Sequence, residues 1–273
     1  MTDKQSARIA FIGAGNMAAS LVGGMLARGF SAAQITLADV DAERLEMLAA
    51  QYGVHVTASN TEAARDADVI LFAVKPQQMA AVAAAIAPVV KARKPLVVSI
   101  AAGTTIAQLQ GWLGADAAVV RCMPNTPALV QSGATGLYAS TQVSAARRLL
   151  AQAMLDAVGI ALWLDSEDQL DAVTALSGSG PAYFFLVMEA MIAAGRAMGL
   201  DEKIARQLTL QTALGAAQMA ITSDEGPAEL RRKVTSPGGT TQAALNVFES
   251  EHLRDTFLKA LIAARDRSRE LAI

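Results

Sequence analysis

The stretch Ile9-Ala10-Phe11-Ile12-Gly13-Ala14-Gly15-Asn16-Met17-Ala18 limits this chain to few architectures, because an apolar run stops on a glycine pair and opens into an alanine-rich helical pattern. It reads as strand, tight turn, helix. Gly13 supplies the turn's unusual φ, Gly15 lets a pyrophosphate approach the backbone with no Cβ in the way, and Ala18 takes the third small position of a G-x-G-x-x-G/A fingerprint. The following helix turns its N–H groups and positive dipole end toward phosphate. Taken alone, the same pattern also suits an ordinary strand-to-helix turn.

A second apolar run, Ile35-Thr36-Leu37-Ala38, follows a helix predicted over residues 17–28 and its terminating Gly29, then ends on Asp39. The chain therefore starts with a βαβ unit. An acid about 20 residues after the glycines is the usual ligand of an adenosine ribose diol and repels a 2′-phosphate, so Asp39 by itself leans toward NAD. The alternative is that Asp39 only N-caps the helix over 41–51.

A chain of 273 residues suits one or two domains. Net charge −2 with 18% charged residues leaves no basic face for nucleic acid. The hydrophobic fraction of 53% is high, yet the longest apolar run, 79–90, contains Pro88 and is too short to span a bilayer, so no membrane partner is expected. The surplus is better explained by a large subunit interface. The polar N-terminus carries no signal-peptide pattern, and the single Cys122 excludes an internal disulfide and fits a reducing cytoplasm. Two separated histidines, His55 and His252, make no metal site.

Asp68-Val69-Ile70-Leu71-Phe72-Ala73-Val74 has the form of a parallel strand buried on both faces, and it ends in Lys75-Pro76. Lys75 thus stands at the carboxyl edge of a sheet, where open α/β folds bind ligands; the alternative is a solvated loop lysine. Residues 95–100 form another buried strand, closed by Ala101-Ala102-Gly103, whose small side chains let a flat nicotinamide or ribose lie on the backbone. Residues 119–123 continue the sheet into Pro124-Asn125-Thr126-Pro127, a rigid corner with Asn125 and Thr126 as polar candidates. Cys122, among apolar neighbours, reads as a small buried residue. Residues 136–138 and 160–163 supply the last strands.

Beyond Asp165-Ser166-Glu167-Asp168 only helical periodicity remains, which divides the chain into a doubly wound α/β domain, 1–165, and an all-α domain, 166–273. The helix over 182–198, opened by Pro181 and stopped by Gly199, is apolar on nearly every face. So short a helical domain can hardly surround it, which implies that a partner subunit does. Near the C-terminus, Thr235-Ser236-Pro237-Gly238-Gly239-Thr240-Thr241 places two glycines and several hydroxyls before a helix, a natural seat for a carboxylate. The alternative is that Thr240 or Thr241 merely caps that helix. A protonated cyclic imine carries its own positive charge, so hydride transfer to it needs only alignment and an anchored carboxylate, which suits a chain with no triad and no metal cluster.

Six segments, FIGAGNMA (11–18), AVKPQ (73–77), SIAAG (99–103), RCMPNTP (121–127) and the pair LSGSGPAY (176–183) with TSPGGTT (235–241), make the chain resemble a pyrroline-5-carboxylate reductase over its whole length. The resemblance implies reduction of 1-pyrroline-5-carboxylate to L-proline, a Rossmann domain, and a helical domain that intertwines in a dimer, often within a ring of dimers. By the same resemblance Ile12, Gly13, Ala14, Gly15, Asn16 and Met17 bind pyrophosphate, Asn60 the adenosine side, Ala73, Val74, Lys75 and Pro76 the cofactor as it crosses the strand edge, and Ile100, Ala101 and Ala102 the nicotinamide end. Ser236, Gly238, Gly239, Thr240 and Thr241 hold the substrate, with Thr241 bonding the ring nitrogen and handling the proton; Asp224 or Glu225 faces the substrate as well.

Asp39-Val40-Asp41 departs from the pattern of NADPH-preferring members, with Arg44 the nearest cation. NADP(H) stands first on family habit and NAD(H) second. A β-hydroxyacid or 6-phosphogluconate-type dehydrogenase is the rival enzyme, but it needs a lysine on the long helix, and residues 182–198 contain none. A non-catalytic dinucleotide-responsive regulator is the rival from another class, and the hydroxyls of 236–241 argue against it.

Overall fold

A computed structural model describes residues 6–271. The chain first alternates strands and helices: β1 (Ile9–Ile12), α1 (Asn16–Ala27), β2 (Ile35–Ala38), α2 (Ala42–Tyr52), β3 (His55–Thr57), α3 (Asn60–Ala64), β4 (Val69–Phe72), α4 (Pro76–Arg93), β5 (Leu96–Ser99), α5 (Ile106–Leu113), β6 (Ala118–Met123), β7 (Gly133–Ala139), α6 (Ala145–Leu155) and β8 (Gly159–Trp163). They form one sheet of order β3-β2-β1-β4-β5-β6-β7-β8. The strands from β3 to β6 are parallel, β7 runs antiparallel to β6, and β8 is parallel to β7. The order reverses between β1 and β4, where doubly wound sheets open a ligand crevice.

Successive residues of the buried strands serve opposite faces. Ile9, Phe11, Val69, Leu71, Leu96 and Val98 join one core with α1, α2 and α6. Ala10, Ile12, Ile70, Phe72 and Val97 join the other with α3, α4 and α5. This alternation is why uninterrupted apolar runs are the right strand signature for a sheet covered on both sides.

No strand follows Trp163 among the described residues. The chain continues through α7 (Gln169–Val173), a π turn Thr174–Gly178, α8 (Gly180–Ala197), α9 (Glu202–Thr222), α10 (Pro227–Lys233), α11 (Thr240–Ser250) and α12 (Leu253–Leu271). One compact unit extends to Ser179 and includes the end of α12 from Ala264; the other is Gly180–Ala263. The first holds the α12 end through Asp171, whose Oδ1 accepts from Ser268 Oγ at 2.7 Å and whose Oδ2 lies 3.6 Å from Arg269 Nε.

The second unit has little interior of its own. Its buried residues are Gly180, Gly195, Ala205 and Thr209. Phe184 and Leu186 are 68% and 65% exposed, and Phe185, Val187 and Met191 are exposed beside them. The all-round burial expected for this helix is thus absent within one chain, and the apolar surface is left for something else to cover. Residues 169–197 are helical, long and apolar enough to cross a membrane by length and composition, so the run 79–90 is not the longest span to weigh in that respect.

Candidate active site

The carboxyl ends of six parallel strands form one row, since Ile12 pairs with Ala38 and Phe72, Ala38 with Thr57, Phe72 with Ser99, and Ser99 with Arg121. The residues that follow sit along one edge: Gly13, Asp39, Ala73 and Ile100. Gly13 donates its N–H to Ala38 O at 2.8 Å and has φ +100°; a Cβ there would lie 2.7 Å from Ala73 O. Only glycine fits between β1 and the exit of β4. Gly15 is different. It is exposed, N-caps α1 with ordinary extended φ, and a Cβ on it would meet nothing within 4 Å. That open space is what a pyrophosphate would fill, so the turn fits the dinucleotide expected there. No side chain caps α1, and no acid occupies its first turn.

Asp39 does not cap α2, the alternative that its position in the sequence allows. Asp41 does, accepting from Arg44 N at 3.0 Å. Asp39 instead turns back to the glycine turn, where Oδ2 accepts from Ala14 N at 2.6 Å, while Oδ1 accepts from Asp41 N at 3.2 Å. Arg44 reaches the same turn from α2, donating from Nε to Ala14 O at 2.9 Å and from Nη2 to Asn16 Oδ1 at 2.8 Å.

Along the rest of the edge, Ala73 and Val74 are half-buried, and Ala73 N donates to Ile12 O at 2.8 Å. Lys75 is exposed and N-caps α4 with no side-chain bond, and Pro76 takes the first helical position, where its missing N–H costs nothing. Ile100 N donates to Phe72 O at 3.1 Å, Ala101 N to Ser99 Oγ at 3.3 Å, and Ala102 is exposed. Asn60 opens α3, whose cap is Ser59. His55 lies exposed on β3, an edge strand.

Two polar arrangements at this edge are not evident from the sequence. Arg121, 9% exposed on β6, places Nη1 2.6 Å from Glu167 Oε1, and the same oxygen accepts from Ile106 N at 2.8 Å. The available signal is an arginine inside an apolar strand, since buried charges come paired. Asn125, one of the polar candidates, is buried and committed: its Nδ2 donates to Ser177 O at 3.0 Å and its Oδ1 accepts from Ala134 N at 2.9 Å. Between them Cys122 is buried, and burial pushes its thiol well above the ordinary range although the Arg121 charge acts the other way. It is a core residue.

The hydroxyl and glycine loop lies in the second unit. Ser236 O accepts from Gly239 N at 3.0 Å, Gly238 has φ +70°, and Gly238 N donates to Gln242 Oε1 at 2.6 Å. The N-cap of α11 is Gly239, with no side-chain cap, so neither Thr240 nor Thr241 is spent as one. The N–H groups of Thr240 and Thr241, the first two of the helix, have no acceptor among the described residues. Asp224 is exposed, whereas the Glu225 carboxylate is engaged by Lys233 Nζ at 2.6 and 2.8 Å.

Residues 167–271 match the family described as pyrroline-5-carboxylate reductase dimerisation, and residues 8–103 match NADP oxidoreductase, coenzyme F420-dependent. The chain is 58% identical to a pyrroline-5-carboxylate reductase of Pseudomonas aeruginosa, over 97% of both chains, and 44% identical to that of Haemophilus influenzae, over 96% of this chain and 97% of the other. The chain belongs to the pyrroline-5-carboxylate reductase family. Among solved structures, a pyrroline-5-carboxylate reductase of Coxiella burnetii superposes with a TM-score of 0.95 at 44% identity, covering 98% of this chain and 99% of the other. The Plasmodium falciparum pyrroline carboxylate reductase, solved with NADP bound, gives 0.86 at 29% identity over 98% and 99%. The protein is an NAD(P)H-dependent oxidoreductase of proline biosynthesis, and the rival dehydrogenase and regulator readings fall away. The match of residues 167–271 to the dimerisation family supports self-association.

Proposed function

We propose that this chain reduces 1-pyrroline-5-carboxylate to L-proline, with residues 1–165 holding the dinucleotide and residues 166–273 gripping the substrate. The substrate carboxylate lies on the backbone of the Gly238–Thr241 turn, with Ser236 nearby. The observation that carries this reading is the pair of unclaimed N–H groups on Thr240 and Thr241 behind a glycine cap. Thr241 bonds the ring nitrogen and handles its proton. Asp224, rather than the lysine-bound Glu225, is the acid available to face the substrate.

The dinucleotide is held by Ile12, Gly13, Ala14, Gly15, Asn16 and Met17 at its pyrophosphate, by Asp39 and Asn60 toward the adenosine, by Ala73, Val74, Lys75 and Pro76 along the strand edge, and by Ile100, Ala101 and Ala102 at the nicotinamide. When bound, the reduced nicotinamide supplies the hydride that the imine carbon accepts. The order of use is NADPH first and NADH second. Support comes from the NADP-type match over 8–103 and from the NADP held by the Plasmodium relative. Both Asp39 oxygens also accept backbone N–H groups, which lessens their claim on a ribose diol.

Self-association runs through α8 to α12, where the partner copy covers Phe184, Phe185 and Leu186; their place inside the dimerisation match favours a protein partner over lipid. A cytoplasmic site agrees with the single, buried thiol. The test is paired steady-state titration with NADPH and NADH in the presence of pyrroline-5-carboxylate. Proline-forming oxidation of either supports the activity, and a kcat/KM that favours NADH would reverse the cofactor order.

A further inference from the structure

The peptide segment at Ala14 is gripped on both sides from one short stretch of chain. Its N–H goes to Asp39 Oδ2 at 2.6 Å and its carbonyl accepts from Arg44 Nε at 2.9 Å. The Arg44 guanidinium extends further along the turn to Asn16 Oδ1 at 2.8 Å. The stretch is itself fixed, because Asp39 Oδ1 accepts from Asp41 N and Asp41 Oδ1 accepts from Arg44 N. Ala14 is fully buried and Arg44 half-buried, so the two bonds to the Ala14 peptide are shielded from competing water more than surface bonds are, whereas the bond to Asn16 is exposed.

We propose that Arg44 is a positioning residue that braces the Gly13–Met17 turn, holding its free N–H groups in the geometry a pyrophosphate requires, for both dinucleotides alike. Glycine is the most permissive residue in backbone conformation, so a turn containing two of them is prone to move, and freedom left in the free protein must be lost on binding. Arg44 removes much of it beforehand. Its two donors serve two acceptors two residues apart, which a guanidinium spans and an ammonium does not. This role is distinct from that of a 2′-phosphate clamp, which would act on NADPH alone: Nε and one Nη2 proton of Arg44 are given to the turn that both dinucleotides would use.

The proposal rests on the pyrophosphate lying at this turn, and the experiment separates the two. Wild type, Arg44→Met and Arg44→Lys are titrated with NADPH and with NADH, following fluorescence, and amide exchange of the peptide covering 13–17 is measured in protein free of dinucleotide. We expect Arg44→Met to raise Kd and KM for both dinucleotides by the same factor, about tenfold, with kcat within about twofold. Exchange at 13–17 should rise in the same variant, and Arg44→Lys should fall between it and wild type. Loss confined to NADPH, unchanged Kd for both, or unchanged exchange would each overturn the brace. Wild type that binds neither dinucleotide would instead overturn the assignment of the turn. If Arg44→Met does not fold, Arg44→Gln is read by the same criteria.

Discussion

Arg121 Nη1 lies 2.6 Å from Glu167 Oε1, joining the end of β6 to the turn before α7, and that same carboxylate oxygen takes the N–H of Ile106 at the start of α5. Three elements meet on one oxygen. Arg121→Leu leaves the carboxylate without its cation in a largely buried place; a quarter of the Glu167 side chain is exposed, so we expect a loss of about 2 kcal/mol rather than the roughly 3 to 5 of a fully buried pair. Glu167→Gln keeps an oxygen for Ile106 N and should cost less. Denaturant melts of the two variants check the order.

Gly13 and Gly15 should separate folding from binding. Gly13→Ala puts a Cβ at φ +100° against the Ala73 carbonyl, and we expect destabilisation of about 3 kcal/mol. Gly15→Ala meets no atom and keeps an allowed φ, so melting should shift by less than about 0.5 kcal/mol. Its dinucleotide KM should nevertheless rise about tenfold, because the new methyl occupies the space a pyrophosphate needs. An unaltered KM would remove the pyrophosphate from that spot.

Thr241→Ala removes the hydroxyl assigned to the ring nitrogen but leaves the backbone N–H groups in place. We expect kcat to fall about a hundredfold while dinucleotide Kd stays within about twofold. An unchanged kcat takes Thr241 out of the mechanism.

Burial raises the Cys122 pKa in the folded state above its value in the unfolded chain. The contribution is therefore fully present below the unfolded pKa of about 8.5 and is lost as pH rises beyond it, at up to about 1.4 kcal/mol per pH unit, because the unfolded thiol gives up a proton that the folded one keeps. Lysines and tyrosines titrate in the same range, so the measurement is the difference between wild type and Cys122→Ala from about pH 8 upward. The variant's stability should fall less steeply. Thiol reagents should label the wild type only on unfolding.

Leu186→Arg places a charge on the exposed apolar face of α8. If that face meets a second copy, association weakens by at least about a hundredfold, read by light scattering across a dilution series. An undiminished assembly would move the interface elsewhere.

Much of the sheet is legible in residues 9–12, 69–72 and 96–99, because a strand covered on both faces has no polar side and leaves an unbroken apolar run. The glycine turn is legible for a similar reason, as φ and close approach single out residue types. What escapes is pairing across long separations. Which of Asp39 and Asp41 caps α2 depends on one turn of backbone, and nothing near Arg44 in sequence announces that its partners are Ala14 and Asn16. Arg121 and Glu167 pose the same problem across 46 residues. The cap of α11 falls to Gly239 instead of a threonine, and Gln242 reaches back to accept from Gly238 N, a bond that nothing in the loop's residue types announces.

The stretch Gly180–Ala263 encloses only Gly180, Gly195, Ala205 and Thr209. Folding there cannot be separated from meeting another molecule, so heat resistance should climb with protein concentration. Two differently labelled populations mixed after purification should trade subunits no faster than they melt, and pairings made at synthesis should persist for the life of the enzyme.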